Sequence, residues 1–176
     1  MRLLFLVVAI LGASFNFSYR SVKSIILPGY SSSSTEHLES NFKNKIDNII
    51  LEMEKKGHKP LVATSFRSPE QQDFLYNLRR FGLTLTKVRG GGSCHNIVIN
   101  GQPSSLAVDI TDGISFAHSK EQQAKFYLDL RDIVKRKGLR SGGYWLKEGN
   151  EWYEYGLGWD PGHIEDSNAC KRHRKL

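Results

Sequence analysis

Apolar residues along the chain fall first into two helical series. Leu38, Phe42, Ile46, Ile49, Ile50 and Met53 recur at steps of three and four, which puts them on one face of a helix that Gly57 ends and that Ser34 or Thr35 can cap. Ala124, Phe126, Tyr127, Leu130, Ile133 and Val134 form a second such face between Ser119 and Lys137, with Gly138 as the stop. A further helix is predicted from Pro69 to about Phe81-Gly82, its polar face carrying Arg79 and Arg80. Ser68 caps it, Pro69 sits in the first turn where a missing N–H costs nothing, and Glu70 suits the helix dipole.

Between these helices the period shortens to two. Leu61-Val62-Ala63-Thr64-Ser65 reads as a strand that delivers Phe66-Arg67-Ser68 to a helix start, so Arg67 stands at a strand-to-helix corner. Leu106 to Ile110 alternates, with Leu106, Val108 and Ile110 on one face and Ala107 and Asp109 on the other. Asn100-Gly101 signals a hairpin just before it. His163-Ile164-Glu165 reads as a last strand, Ile164 inward and its polar neighbours outward. The stretch between Leu139 and Trp159 is rich in Gly and aromatics, with a turn at Glu148-Gly149-Asn150. Its Tyr144, Trp145, Trp152, Tyr153, Tyr155 and Trp159 are either core or the wall of a cleft. The fold class that follows is α+β: one domain, a small antiparallel sheet flanked by helices.

Length and composition narrow this further. A chain of 176 residues has room for one domain with a real core, and 39% hydrophobic with 24% charged residues is the balance of a globular protein rather than a collagen-like or disordered one. Met1-Arg2, the apolar run Leu3 to Leu11 and the small residues Gly12-Ala13-Ser14 read as a secretory signal over 1–14. The run is short for a bilayer span of about 20 residues, so membrane association is expected only through an uncleaved N-terminus. Residues 15–35 then form a linker that includes the polar tract Ser31 to Thr35, residues 36–166 the functional domain, and 167–176 a basic tail. The formal charge of +7 favours anionic surroundings. Apart from the Lys171 to Lys175 tail, read as solvated, the cations are scattered, which argues against a nucleic-acid partner. An exported monomer, periplasmic or extracellular and facing cell-envelope polymers, is the expectation. Cys94 and Cys170 either pair or stay as buried thiols. His37 and His58 read as surface or capping residues.

Three segments carry chemistry. Ser93-Cys94-His95, Asp109 and Trp159-Asp160-Pro161-Gly162-His163 offer two imidazoles and a carboxylate, a donor set that holds one zinc ion while leaving a position for water. Asp160 is a spare carboxylate able to move a proton. A carboxylate in an apolar strand is costly unless paired or metal-bound, so Asp109 is either a ligand or the partner of Arg67. Gly90-Gly91-Gly92, ahead of Ser93, suits close backbone approach or a mobile lip; no Gly-Lys-Ser/Thr follows, so it is not a phosphate loop.

Taken in order, Ser65-Phe66-Arg67-Ser68 with Gln72, Ser93-Cys94-His95, Ala107-Val108-Asp109-Ile110, Gly142-Gly143-Tyr144-Trp145 and Asp160-Pro161-Gly162-His163-Ile164-Glu165 resemble one pattern. It is that of the zinc D-alanyl-D-alanine carboxypeptidase and L-alanyl-D-glutamate endopeptidase family, which includes phage endolysins and VanY-type peptidases. The resemblance spans roughly residues 40 to 166 and implies a Hedgehog/D,D-peptidase-like fold acting on peptidoglycan stem peptides. It makes His95, Asp109 and His163 the ligands of one zinc ion and Asp160 the catalytic base and acid. Arg67 becomes the oxyanion or substrate contact, with Ser93 and Gln72 as substrate-contact candidates. D-Ala-D-Ala members usually carry Glu at the place of Asp160 and the endolysin-like endopeptidases Asp, which favours the L-Ala-D-Glu bond. One departure stands out. An added hairpin-like segment, Asn96 to about Ser105, separates His95 from Asp109 and is expected at the rim of the cleft.

Overall fold

A computed structural model of the chain describes residues 29–82 and 86–174; the apolar run 3–11 read as an export signal lies outside them. Four helices carry the scaffold: α1 (Ser40–Lys55), α2 (Pro69–Asn77), α3 (Lys120–Arg136) and α4 (Ser167–His173). Six short strands accompany them: β1 (Pro60–Thr64), β2 (Val98–Ile99), β3 (Gln102–Pro103), β4 (Ala107–Asp112), β5 (Arg140–Ser141) and β6 (His163–Glu165). Among the described residues no helix is long and apolar enough to cross a membrane.

The caps follow the sequence with one exchange. Ser68 accepts the Gln71 N–H ahead of α2, and Ser119 with Gln122 forms a reciprocal capping box on α3. Ahead of α1, the Glu39 carboxylate takes the cap by accepting the Phe42 N–H at 2.9 Å. Ser34 instead caps a short 3-10 turn, Thr35–His37. The Ser31 to Ser34 tract, expected as linker, runs beside the end of β1, where Ser65 Oγ donates to the carbonyls of Ser32 and Ser34 at 3.0 and 2.7 Å. Residues 167–173, expected within a basic tail, form α4.

Strand order β1-β4-β6-β5, antiparallel throughout, makes the main sheet. Alternation gives it two unlike faces. Val108, Ile110 and Ile164 join Phe42, Ile46, Ile49 and Met53 of α1 and Phe126, Leu130, Ile133 and Val134 of α3 in one apolar core. The opposite face carries Asp109, His163 and Glu165, and the register sets Asp109 directly across from His163. His163 and Glu165, expected to point outward from a half-exposed strand, are buried because that face is covered too.

The β2–β3 hairpin is the added segment. Asn100 and Gly101 both adopt positive φ, as a two-residue turn of this hand requires. The hairpin closes on itself, Ser104 N–H donating to the Ile97 carbonyl at 2.9 Å, and returns the chain beside the point it left, Leu106 N–H donating to the Cys94 carbonyl at 3.0 Å. Its base is tied to the entry of α1 through Ser105 and His37. Residues 96–105 therefore do not line the cleft described below, which corrects their expected place at its rim.

His58 is a tie between helices rather than a surface residue. Its ring meets Phe126 edge-on, and Nε2 lies 2.9 Å from Asp129, which also receives Lys56 at 2.6 Å and Lys125 at 3.0 Å. Burial alone would raise the Asp129 carboxyl pKa, but Lys56, His58 and Lys125 outweigh it and hold the group well below the aspartate range. A depressed carboxyl pKa stabilises the fold above the unfolded value and ceases to do so as pH falls. Asp129→Asn should therefore lower the urea midpoint at pH 7, and the deficit should shrink as pH drops below about 4, the ordinary aspartate pKa. An equal deficit at pH 7 and pH 3 would contradict this.

Candidate metal centre

Three elements deliver three donors to one point. His95 comes from a 3-10 turn, Cys94–Asn96, that starts where Ser93 Oγ accepts the His95 N–H at 3.3 Å. Asp109 comes from the middle of β4 and His163 from the start of β6. Their ligand-type atoms all lie within 4.8 Å of one another, so the group is one that a metal ion fits. His95 Nε2 and His163 Nδ1 stand 3.4 and 2.9 Å from the same oxygen, Asp109 Oδ1.

The far side of each ring is backed by an acceptor. His95 Nδ1 donates to the Ser65 carbonyl at 2.7 Å, which leaves Nε2 as the bare nitrogen aimed at the cluster. His163 Nε2 lies 3.4 Å from Glu165 Oε2, which leaves Nδ1 for the same purpose. Imidazoles oriented by a carbonyl and a carboxylate behind them, around a shared carboxylate oxygen, are the arrangement that suits zinc or a similar divalent ion. Glu165 is in turn held by Arg140 at 3.1 Å.

Asp109 is placed for both roles considered for it. Oδ1 faces the histidines, and Oδ2 lies 3.5 Å from Arg67 Nη2. Arg67 also donates to Gln72 Oε1 at 2.9 Å, while Gln72 Nε2 donates to Thr86 Oγ1 at 2.7 Å and to the Val88 carbonyl at 2.8 Å. Gln72 is 1% exposed and meets the cleft only through Arg67 and the 86–88 segment. Ser93 lines the cleft. The three-glycine run is held rather than loose: Asp73 accepts from Gly90 N–H at 2.9 Å, and Asn96 Oδ1 accepts from Gly91 and Ser93 N–H at 3.1 and 3.2 Å.

The donors open into a cleft of about 520 Å³ whose walls include Arg67, Trp145, Trp159 and Asp160. Trp145 packs at a tilt against both His163 and Trp159, with ring centroids 5.2 and 5.6 Å away. Trp152 instead packs with Ala124 and Leu157 in a small second core, and Tyr144 and Tyr153 are exposed. The aromatic-rich stretch thus divides between wall, core and surface. Gly142 is where it meets the Asp160 loop, since a Cβ there would collide with the Asp160 carbonyl oxygen.

Asp160 faces this cleft with no side-chain hydrogen bond among the described residues. Burial first, and the neighbouring Asp109 charge second, push its carboxyl pKa up. Asp109 moves the other way. Burial would raise it, but His95 and His163 outweigh that and keep it well below the usual range. Two carboxylates with opposite shifts in one cleft are suited to different tasks, one to bind and one to exchange protons. His163 loses basicity to burial and regains more from Asp109 and Glu165, ending at a pKa of about 10.

Two other side chains of metal-binding type are engaged elsewhere. Cys94 is disulfide-bonded to Cys170, which settles the open question on the thiols. His118 Nδ1 lies 2.6 Å from Asp112 at the far end of β4. Glu165 is the residue that motif reading passed over. Its signal was present, because it lies two positions after His163 and so on the same face of one strand.

No protein-family model matches the chain, and no curated protein matches it. Among solved structures, it is similar to the LdcB LD-carboxypeptidase, a structure described as revealing the molecular basis of peptidoglycan recognition, at a TM-score of 0.48 and 15% identity. The match covers 78% of this chain and 64% of that one.

Two outcomes follow from the centre. Glu165→Gln should weaken zinc binding about ten- to a hundredfold, the usual cost of losing a carboxylate behind a ligand histidine, as read by competition with a chromophoric chelator; unchanged affinity would deny Glu165 this role. Because His163 must shed its proton to bind an ion, apparent zinc affinity should rise about tenfold per pH unit between about pH 6 and 8. A flat profile would mean that His163 is not a ligand.

Proposed function

We propose that the chain is a zinc-dependent peptidoglycan peptidase that hydrolyses a stem-peptide bond. The L-alanyl-D-glutamate bond is the first choice and the D-alanyl-D-alanine bond the alternative. The observation that carries this reading is the convergence of His95, Asp109 and His163 within 4.8 Å beside a cleft in which Asp160 stands with a raised pKa. The choice of peptidoglycan rests on the resemblance of the five motifs, and the choice of bond on Asp at position 160.

His95 Nε2, Asp109 Oδ1 and His163 Nδ1 would hold the ion. When bound, it supplies Lewis acidity, polarising an amide carbonyl and lowering the pKa of water to about 7. The remaining work belongs to side chains of this chain. Asp160 takes a proton from the attacking water, a task for which an upward-shifted carboxylate is better matched than an ordinary one. It then returns the proton to the leaving amine. Arg67, fixed in place by Gln72, meets the negative charge that develops on the carbonyl oxygen and requires no reorganisation to do so. Trp145 and Trp159 wall the site and keep bulk water from one side of it.

A metal-stabilised binding module without activity would need a fourth protein ligand, as structural zinc usually has. Cys94 and His118, whose side chains are of the type that could fill such a place, are committed to Cys170 and Asp112, which favours the open, catalytic arrangement. Such an enzyme works outside the cytoplasm, and a disulfide suits that compartment. Its catalytic domain takes in residues 36–166 together with α4, which walls the cleft.

Asp160→Ala should abolish cleavage of purified stem peptides, followed by mass spectrometry, while zinc content stays at one ion per chain. Cleavage surviving in that variant would remove Asp160 from the base role. Absence of cleavage by the zinc-loaded parent protein on every stem peptide would remove the peptidase reading itself.

A further inference from the structure

The basic run near the C-terminus is not uniformly a solvated tail. Ser167, Cys170, Lys171 and Arg174 all line the cleft, and positions three, four and seven residues after the first share one face of a helical stretch. Arg172, between the two cations, is exposed and does not line it. The helix is fastened in this orientation. Cys170 is cross-linked to Cys94, one residue before His95. Asp166 accepts the Ala169 N–H at 2.9 Å and is itself held by Lys45 at 3.3 Å. Arg174 Nη2 rests 3.3 Å from Cys94 Sγ.

Charge within the cleft is unbalanced. Five cations, Arg67, Lys87, Arg140, Lys171 and Arg174, face three carboxylates, Asp109, Asp160 and Glu165. Arg67 and Arg140 already lie against Asp109 and Glu165. Lys87, Lys171 and Arg174 have no carboxylate within ion-pair distance among the described residues, and Lys87 sits over the Trp159 ring at 4.6 Å. A cleft lined with surplus charge of one sign focuses potential and attracts a ligand of the other. The wall also offers an unused donor: Trp145 Nε1 is buried with no hydrogen-bond partner, alone in this among the described residues.

We infer that the cleft-facing side of α4 is a carboxylate subsite, in which Lys171 and Arg174 hold a negative group of the peptide substrate away from the bond being cut. This rests on the peptidase reading of the cleft. Because the subsite shares one cavity with the metal donors, its ligand is the same molecule that reaches them: a short acidic peptide. Arg67 and the subsite then grip it from two elements, and substrates are selected by where they carry carboxylates.

The test compares binding of two stem peptides, one with free D-glutamate and terminal carboxylates and one amidated at both, by calorimetry on zinc-loaded protein carrying Asp160→Asn to prevent turnover. The free acid should bind more tightly than the amide. Lys171→Ala should weaken acid binding about three- to fivefold and Lys171→Ala with Arg174→Ala about tenfold, cutting the preference over the amide in step. Arg172→Ala removes one charge from the neighbouring position on another face and should change nothing. An equal loss in Arg172→Ala and Lys171→Ala, or a preference that the double substitution leaves undiminished, would overturn the subsite. Cleavage by the parent protein is scored separately. Its absence beside an intact binding contrast counts against the peptidase reading, whereas cleavage without the contrast counts against the subsite.

Discussion

A single half-buried anion, Asp109, organises this molecule. Asp109 occupies the middle of β4, where neighbouring positions are apolar, and an isolated carboxylate there would carry a heavy desolvation cost. The fold meets that cost with groups from three separate places in the sequence: His95 from a turn, His163 from the adjoining strand and Arg67 from the corner between β1 and α2. Each of these is itself constrained, by the Ser65 carbonyl, by Glu165 and by Gln72. The arrangement has the character of a preorganised site. Its side chains are held by packing and by hydrogen bonds from outside the cluster.

The two-faced sheet explains how so small a domain supplies both a core and a site. Val108 and Ile164 pair across β4 and β6 on the apolar side, and the next register position pairs Asp109 with His163 on the other. Chemistry and stability are thus written on alternate residues of the same strands. A shift of one residue in this register would exchange them, exposing the core and burying the charges.

Much of this was legible in the sequence, for reasons that differ by element. The long helices announced themselves because burial imposes a three-to-four repeat on Phe42, Ile46, Ile49 and Met53 and on Phe126, Leu130, Ile133 and Val134. The cluster of His95, Asp109 and His163 was legible because an Asp amid apolar neighbours, and His residues beside Ser-Cys and Asp-Pro-Gly, are unusual enough to demand a reason. Contacts made by backbone left no trace: nothing in Ser65 marks its carbonyl as the acceptor for His95. Gln72 was visible as a motif member, but its burial under the 86–88 segment depends on tertiary packing. The place of α4 was hidden for a similar reason, since seven residues give too little periodicity to separate Lys171 and Arg174 from Arg172. The hairpin at Asn100-Gly101 was readable as a turn, while its direction away from the cleft depends on the tie between Ser105 and His37.

The cross-link between Cys94 and Cys170 joins positions 76 residues apart in sequence. On a chain-entropy estimate, closing a loop of that size removes about 4.5 kcal/mol of freedom from the denatured ensemble, comparable with the whole net stability of a marginal small domain. Its two ends are the turn that presents His95 and the helix that finishes the described chain. Forming it requires an oxidation that ties α4 to the middle of the polypeptide. A chain in a reducing environment lacks that fastening, so the seating of α4 beside the His95 turn depends on the redox state of its surroundings.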